Sequence, residues 1–174
     1  EIRDHIIRIY NILPSYSLSS DFFIKAMDIK RNLGDHRGME QVAQKLTHML
    51  YEQREYEKSL KYAYITRDLA SQLGLQEEWM QAQTDIANNL IRLKKLSFAK
   101  VLLDSIHSKI RPSDYHMISR YETALGDYEV LCGNQDKAEK HYAAALPGRP
   151  GPVLSQYVFH HQAESYKQVG NHAK

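Results

Sequence analysis

Small residues recur at a nearly constant interval, and this spacing constrains the fold more than any other feature of the sequence. Each lies two to four positions after a polar break in a helical pattern of apolar residues. They are Ser19, Ser59, Ala99 and Ala138, at intervals of 40, 40 and 39 residues. A fixed period of this size is typical of helical repeats, in which each hairpin buries its apolar face by stacking on its neighbours. A small side chain at this position lets the two helices of a hairpin approach closely.

Residues 46–63 show the repeated pattern most clearly. Apolar residues at helical spacing run from position 39 to position 50, and a polar break follows at Gln53, Arg54 and Glu55. A second apolar phase then continues through Tyr56, Leu60 and Ala63. This pattern predicts two antiparallel helices joined by a very short turn.

The same layout recurs along the whole chain. Predicted repeats span about 1–35, 36–75, 76–112, 113–150 and 151–174, and the last of them lacks its second helix. The predicted breaks and caps are Pro14-Ser15, Leu33-Gly34-Asp35, Leu73-Gly74-Leu75, Lys94-Lys95, Arg111-Pro112, Ser113-Asp114, Gly133-Asn134 and the Pro/Gly-rich stretch 147–152. The sequence therefore predicts a single all-α domain over residues 1–174, with about four and a half antiparallel helical hairpins.

These repeats resemble tetratricopeptide repeats, whose first helix carries a Leu, small and aromatic signature and whose second helix opens with a small residue. The residues that carry the resemblance are Leu46, Thr47, Leu50, Tyr51, Tyr56 and Ser59; Ile86, Ala87, Leu90, Leu96 and Ala99; Leu125, Gly126, Gly133 and Ala138; and Ala163, Tyr166 and Gly170. The first repeat matches through Tyr10, Tyr16, Ser19 and Ala26, but Ile7 stands where a small residue is usual. The resemblance implies a right-handed superhelical solenoid. The interval of about 40 residues is longer than in the commonest form of this repeat. Together with the linker at 33–38, it resembles the repeats of bacterial sensor kinases and peptide-responsive regulators.

Charge and composition argue against several classes of partner. With 23 basic and 21 acidic residues the formal charge is +2, and both signs are mixed along the helices, so no strong field favours nucleic acid or anionic lipid. No apolar run approaches the roughly 20 residues of a membrane span. The single cysteine, Cys132, excludes an internal disulfide and leaves the compartment open. The start at Glu1, with no signal-peptide pattern, suggests a processed chain or a fragment of a longer one.

The sequence contains no recognisable catalytic constellation. Its nine histidines show no metal-binding spacing, and the adjacent His160 and His161 point to different sides of a helix. Cys132 lacks a basic neighbour that would activate it, and Gly148 and Gly151 alternate with prolines rather than forming a phosphate loop. We therefore expect neither an enzyme nor a metal or other cofactor.

Polar residues on the first helix of each predicted hairpin point to a binding surface. In stacked hairpins these helices line the concave face. The candidate ligand-binding residues are Gln41, Gln44, His48, Gln81, Thr84, Asn88, Arg92, Arg120, Thr123 and Asp127, and Tyr157, His160 and Glu164 continue the set. Amide side chains can both donate to and accept from an extended peptide backbone. The alternative is that these residues form only a solvated polar face.

The predicted function is a protein- or peptide-binding module, the sensory or scaffolding part of a larger signalling or transcription-regulating protein. The resemblance also suggests the family's clamp for a C-terminal carboxylate, but Thr84 stands where that clamp has a lysine, so this specificity is not expected. The alternative function is structural self-assembly into a homo-oligomer. An unpaired last helix would then expose an apolar stripe of Phe159, Ala163 and Tyr166.

Overall fold

The computed structural model describes residues 16–146 and 151–170, with residues 16–19 described by their backbone only. The regular structure in these ranges is entirely α-helical. The helices are α1 (Tyr16–Asn32), α2 (His36–Glu52), α3 (Tyr56–Gln72), α4 (Gln76–Arg92), α5 (Leu96–His107), α6 (Tyr115–Leu131), α7 (Gln135–Ala144) and α8 (Pro152–Gly170). The all-α prediction is confirmed. The predicted helix near residues 2–13 and the side chain of Ser19 lie outside the described part.

The starts of the first five described helices recur at a fixed interval. The first five helices begin at residues 16, 36, 56, 76 and 96, one every 20 residues, and the first four each contain 17 residues. Two helices with their connections therefore account for the 40-residue interval of the sequence. Several helices that are neighbours in sequence pack against one another, namely α1 with α2, α2 with α3, α5 with α6 and α6 with α7, which is consistent with a helical repeat.

Five of the connections share one three-residue geometry. Their middle residues, Gly34, Arg54, Gly74, Lys94 and Gly133, all have a positive φ between 58° and 80°. The residue after each of these donates its N–H to a carbonyl five positions back, as Glu55 does to Leu50 at 2.9 Å. This Schellman arrangement satisfies the last carbonyls of the helix. The predicted turns at 33–35, 53–55, 73–75, 94–95 and 133–134 are confirmed.

We expect Arg54→Gly and Lys94→Gly to stabilise the chain by about 0.5 to 1 kcal/mol each. A side chain in the left-handed region costs roughly 1 to 2 kcal/mol, and the extra backbone entropy of glycine in the unfolded chain offsets part of the gain. Thermal unfolding followed by circular dichroism measures the effect. The reciprocal control, Gly74→Ala, should destabilise by a similar amount, because Gly74 has a φ of 69°. A lower melting temperature for both glycine variants would contradict this explanation.

Two helices, α2 and α6, begin at the predicted caps. Asp35 Oδ1 accepts from the Gly38 N–H at 2.7 Å, and Asp114 Oδ1 accepts from the Met117 N–H at 3.0 Å. Helix α5 differs from the sequence pattern, which continued to Ile110, because the structure ends it at His107. A tighter turn closes it, in which the Lys109 N–H donates to the Ile106 carbonyl at 2.9 Å. Pro112 follows and disfavours continuation of the helix.

The chain divides into two compact units, residues 1–76 and 77–174. In the first, α1, α2 and α3 enclose a core of Met27, Ala43, Leu46 and Leu50. Ser59 is fully buried, and its hydroxyl donates to the Thr47 carbonyl at 2.8 Å. The small residue at position 59 therefore lies at a close crossing of α2 and α3, as its spacing predicts.

The second compact unit contains α4 to α8, with a core cluster of Val130, Ala138, Tyr142, Ala145 and Val158. Ala99 and Ala138, the next two small residues of the 40-residue pattern, are fully buried. Gly126 faces the Tyr142 ring so closely that a Cβ at this position would lie 2.6 Å from Tyr142 Cε1. Helices α6 and α7 approach each other at a point where only glycine fits without displacement of that ring.

Candidate functional site

Two ion pairs connect α4 and α6 within the second compact unit. Arg120 Nη2 bonds to Asp85 Oδ1, and Arg92 Nη2 lies 3.1 Å from Asp127 Oδ2. Both pairs join residues 35 positions apart, and they are separated by seven residues on each helix. The two helices therefore run parallel, with the pairs about 10 Å apart along the axis. We call these four residues the charge ladder, and their formal charges sum to zero.

Asp127 is the most heavily bonded member of the charge ladder and is only 1% exposed. Its Oδ2 also lies 2.7 Å from His161 Nδ1, and its Oδ1 accepts from the hydroxyls of Tyr142 and Ser165, both at 2.7 Å. Arg92 in turn donates to Ser165 Oγ at 2.9 Å. One carboxylate thus links α4, α6, α7 and α8.

The bonding around Asp127 favours its ionised form. Burial by itself raises the pKa of this carboxyl, but the charges of His161 and Arg92 and the hydrogen bonds from His161 and Ser165 outweigh burial, so the pKa is lowered. Burial, followed by the nearby carboxylate, raises the pKa of the Tyr142 hydroxyl. The tyrosine therefore stays protonated and serves as a donor to Asp127.

Asp127, His161 and Ser165 are the residue types of a hydrolytic triad, but their arrangement differs. In such a triad the serine hydroxyl bonds to the imidazole, which removes its proton. Here the Ser165 hydroxyl instead donates a hydrogen bond to Asp127 Oδ1, and His161 contacts the same carboxylate through Nδ1. Asp127, His161 and Ser165 are also buried. Their hydrogen bonds connect α6 with α8, and none of them activates the serine hydroxyl as a nucleophile.

A second group of polar side chains is centred on Asn88, which lies between the two ion pairs of the charge ladder. Asn88 is on α4, one helical turn from both Asp85 and Arg92, and is 4% exposed. Three buried polar atoms of this region have no hydrogen-bond partner among the described residues: Asn88 Oδ1, Arg120 Nε and the Tyr157 hydroxyl. We call Asn88, Arg120 and Tyr157 the Asn88 cluster. Unpaired buried polar atoms cost free energy, so their convergence from three helices needs an explanation.

The members of the Asn88 cluster influence one another directly. The Arg120 guanidinium carbon lies 5.6 Å from the centre of the Tyr157 ring. Burial raises the pKa of the Tyr157 hydroxyl to about 12, against opposing effects of Arg120 and of the Asn88 amide. The amide is thus close to the hydroxyl, although no hydrogen bond of normal geometry joins them. Arg120 and Tyr157 are partly exposed as whole residues, so the edge of the cluster reaches solvent.

The remaining sequence-predicted residues fall into two groups. On α2, in the first compact unit, Gln41 and His48 are exposed and Gln44 is partly exposed. On α4 and α6, Thr84 and Thr123 are fully buried, and their hydroxyls donate to the carbonyls of Met80 and Ser119 in their own helices. These two threonines therefore present no hydroxyl to solvent.

The other sequence-predicted residues on α4 and α8 are more exposed to solvent than Thr84 and Thr123. Gln81, at the start of α4, is partly exposed, and its amide contacts Glu77 at 3.5 Å. On α8, His160 is exposed, and Glu164 is partly exposed and lies 3.9 Å from Lys167. The predicted residues that the structure brings together are thus Asn88 and Arg120, with Tyr157, and the buried pair Arg92 and Asp127.

Sequence reasoning missed four residues that complete the buried network: Asp85, Tyr142, His161 and Ser165. A signal for one of them was present, because Asp85 and Arg120 repeat the 35-residue interval of Arg92 and Asp127 with opposite order of charge. Parallel helices in consecutive repeats would bring such pairs together. Tyr142, His161 and Ser165 carry no comparable signal.

Two further findings concern metals and membranes. Within residues 16–146 and 151–170, no group of three or more His, Cys, Asp or Glu side chains is placed to hold a metal ion. None of the helices described for this chain combines the length and apolar character needed to cross a membrane.

Comparison of the chain with models of protein families, with curated proteins and with solved structures yields no match. The polar chemistry of the helices is therefore the guide to function.

Proposed function

We propose that this chain is a peptide-binding module built of tetratricopeptide-like repeats in a right-handed superhelical solenoid. Its role would be the sensory or scaffolding part of a larger signalling or transcription-regulating protein. The 20-residue helix interval, the close crossing at Ser59 and the parallel course of α4 and α6 support this architecture. In such an array, alternate helices present their polar residues on one face.

The observation that carries the proposal is the Asn88 cluster. Asn88, Arg120 and Tyr157 come from α4, α6 and α8, and each has a buried polar atom without a partner among the described residues. An extended peptide carries a donor and an acceptor in every residue, and can satisfy such atoms on binding. The cluster is therefore the proposed centre of the peptide site, with Gln81 at its edge.

Selection from a random peptide library on the immobilised 174-residue chain tests the proposal. Recovered peptides would be labelled and titrated by fluorescence anisotropy. We expect saturable binding that an unlabelled copy of the same peptide displaces. Failure to recover any saturable binder from libraries displayed with both free and blocked carboxyl ends would overturn the proposed function.

Self-assembly is the second candidate, and one surface of α8 favours it. Phe159 is 56% exposed and Ala163, one turn further along α8, is exposed as well, whereas Tyr166 is partly buried and its hydroxyl donates to Glu139 at 2.6 Å. Light scattering across a range of concentrations tests this candidate. Self-assembly predicts a mass that rises with concentration and falls back to the monomer in Phe159→Glu, whereas a constant monomer mass would exclude it.

A further inference from the structure

We propose that the Asn88 cluster binds an uncharged amide group and so recognises an internal segment of a peptide rather than its free carboxyl terminus. This inference rests on the proposed peptide-binding function and specifies the ligand chemistry of the same site. Two independent features of the second compact unit lead to it, namely the charge balance around the cluster and the kinds of hydrogen-bonding atoms that it leaves unpaired.

The charge balance disfavours a bound carboxylate. Arg120 is bonded to Asp85, and both Arg92 and the His161 imidazole contact Asp127, so each of these groups already has a carboxylate partner. Burial by itself lowers the pKa of Arg120, but the Asp85 carboxylate more than compensates, so the pKa is raised and Arg120 stays charged. A bound carboxylate would have to compete with Asp85 and Asp127 for these partners in a buried site.

The imidazole of His116 does not supply the missing positive charge. His116 lies one turn before Arg120 on α6, and its pKa is lowered, chiefly by burial and then by the Arg120 charge. The neutral form is therefore favoured. His116 therefore gives no support for binding a carboxylate beside Arg120.

The unpaired atoms match an amide better than a carboxylate. Asn88 Oδ1 can only accept, Arg120 Nε can only donate, and the Tyr157 hydroxyl can do either. An amide supplies one N–H for Asn88 Oδ1 and one carbonyl for Arg120 Nε. A carboxylate has only acceptors, so it would leave Asn88 Oδ1 buried without a donor. Because these atoms are buried, the partly exposed Tyr157 side chain has to turn aside as the ligand enters.

Selections in two display formats test the inference. One library carries peptides with no free carboxyl end, fused through their C-termini to a phage coat protein, and the other presents free C-termini. Recovered peptides would be synthesised both as free acids and as C-terminal amides, and titrated against the wild-type chain. We expect binders from the blocked library, with affinities that amidation changes by less than about threefold.

Substitutions in the Asn88 cluster then test whether the selected peptides bind there. Asn88→Ala and Tyr157→Phe each remove one hydrogen-bonding group, and should weaken binding by about 2- to 10-fold. Lys140→Ala, an exposed change on α7, should leave affinity unchanged. Circular dichroism of each variant, matched to wild type, shows that the loss is not one of folding.

The outcomes separate the two proposals. Binders that come only from the free-carboxyl library, and that lose more than tenfold on amidation, would overturn the amide inference while supporting peptide binding. Blocked-end binders that are insensitive to both Asn88→Ala and Tyr157→Phe would also overturn it, because the peptide would bind elsewhere. Absence of saturable binders in either format would overturn the proposed function itself, and the inference with it.

Discussion

Asp127→Asn is expected to lower the free energy of unfolding by about 3 to 5 kcal/mol. The change keeps the shape of the side chain but removes the charge that compensates Arg92 and replaces one acceptor oxygen with a donor. Removal of one partner of a buried ion pair leaves the other charge buried and uncompensated. Urea unfolding followed by the fluorescence of Trp79, the single tryptophan, on α4, measures the loss.

The matched control is Asp104→Asn, which breaks the exposed pair of Lys100 and Asp104 on α5. An exposed pair contributes little, so this variant should stay within about 0.5 kcal/mol of wild type. Equal effects of the two substitutions would show that the buried network around Asp127 does not stabilise the second compact unit.

The pH dependence of stability provides a second readout for Asp127. Its pKa is lowered in the folded chain, so its contribution is fully present above the unfolded aspartate value of about 3.9 and is lost as the pH falls through the lower folded value. Wild type should therefore lose stability more steeply than Asp127→Asn as the pH falls below about 4. Parallel pH profiles for wild type and variant would contradict a lowered pKa.

Leu46→Ala is expected to destabilise the chain by about 2 to 5 kcal/mol. Leu46 is fully buried in the core of the first compact unit, against Met27, Ala43 and Leu50. The substitution removes apolar surface from the core and leaves a cavity that the surrounding helices fill only in part. Thermal and urea unfolding, followed by far-ultraviolet circular dichroism, measure the effect.

Leu33→Ala makes the same chemical change at a site that is 72% exposed. Because little apolar surface is buried there, the control should change stability by no more than about 0.5 kcal/mol. Similar losses for the two variants would mean that Leu46 does not lie in a packed core.

The helices and their turns could be predicted because the signals are local. Apolar residues at helical spacing predicted each described helix, and the small residues Ser59, Ala99 and Ala138 of the repeat pattern are all fully buried. Caps such as Asp35 and Asp114 depend on residues three positions away, which the sequence shows directly. The end of α5 was harder to place, since Ile110 continues the apolar pattern after the helix has ended.

The candidate site could be predicted only in part, because its contacts are between residues far apart in sequence. The repeat register placed Asn88, Arg92, Arg120 and Asp127 on one set of helices. It could not show that Arg92 and Asp127 bond to each other and so become buried, rather than facing a ligand. That distinction depends on how closely α4, α6 and α8 approach one another, which the local sequence pattern does not show.

The side-chain amide resonance of Asn88 provides the most direct test of the central claim, that the Asn88 cluster is the peptide site. It can be assigned by its loss in Asn88→Ala and followed by nuclear magnetic resonance as a selected peptide is added. We predict a shift of this resonance that saturates with binding, while the side-chain amide of the exposed Asn32 on α1 stays in place. An Asn88 resonance that does not move when the chain is saturated with peptide would contradict the claim.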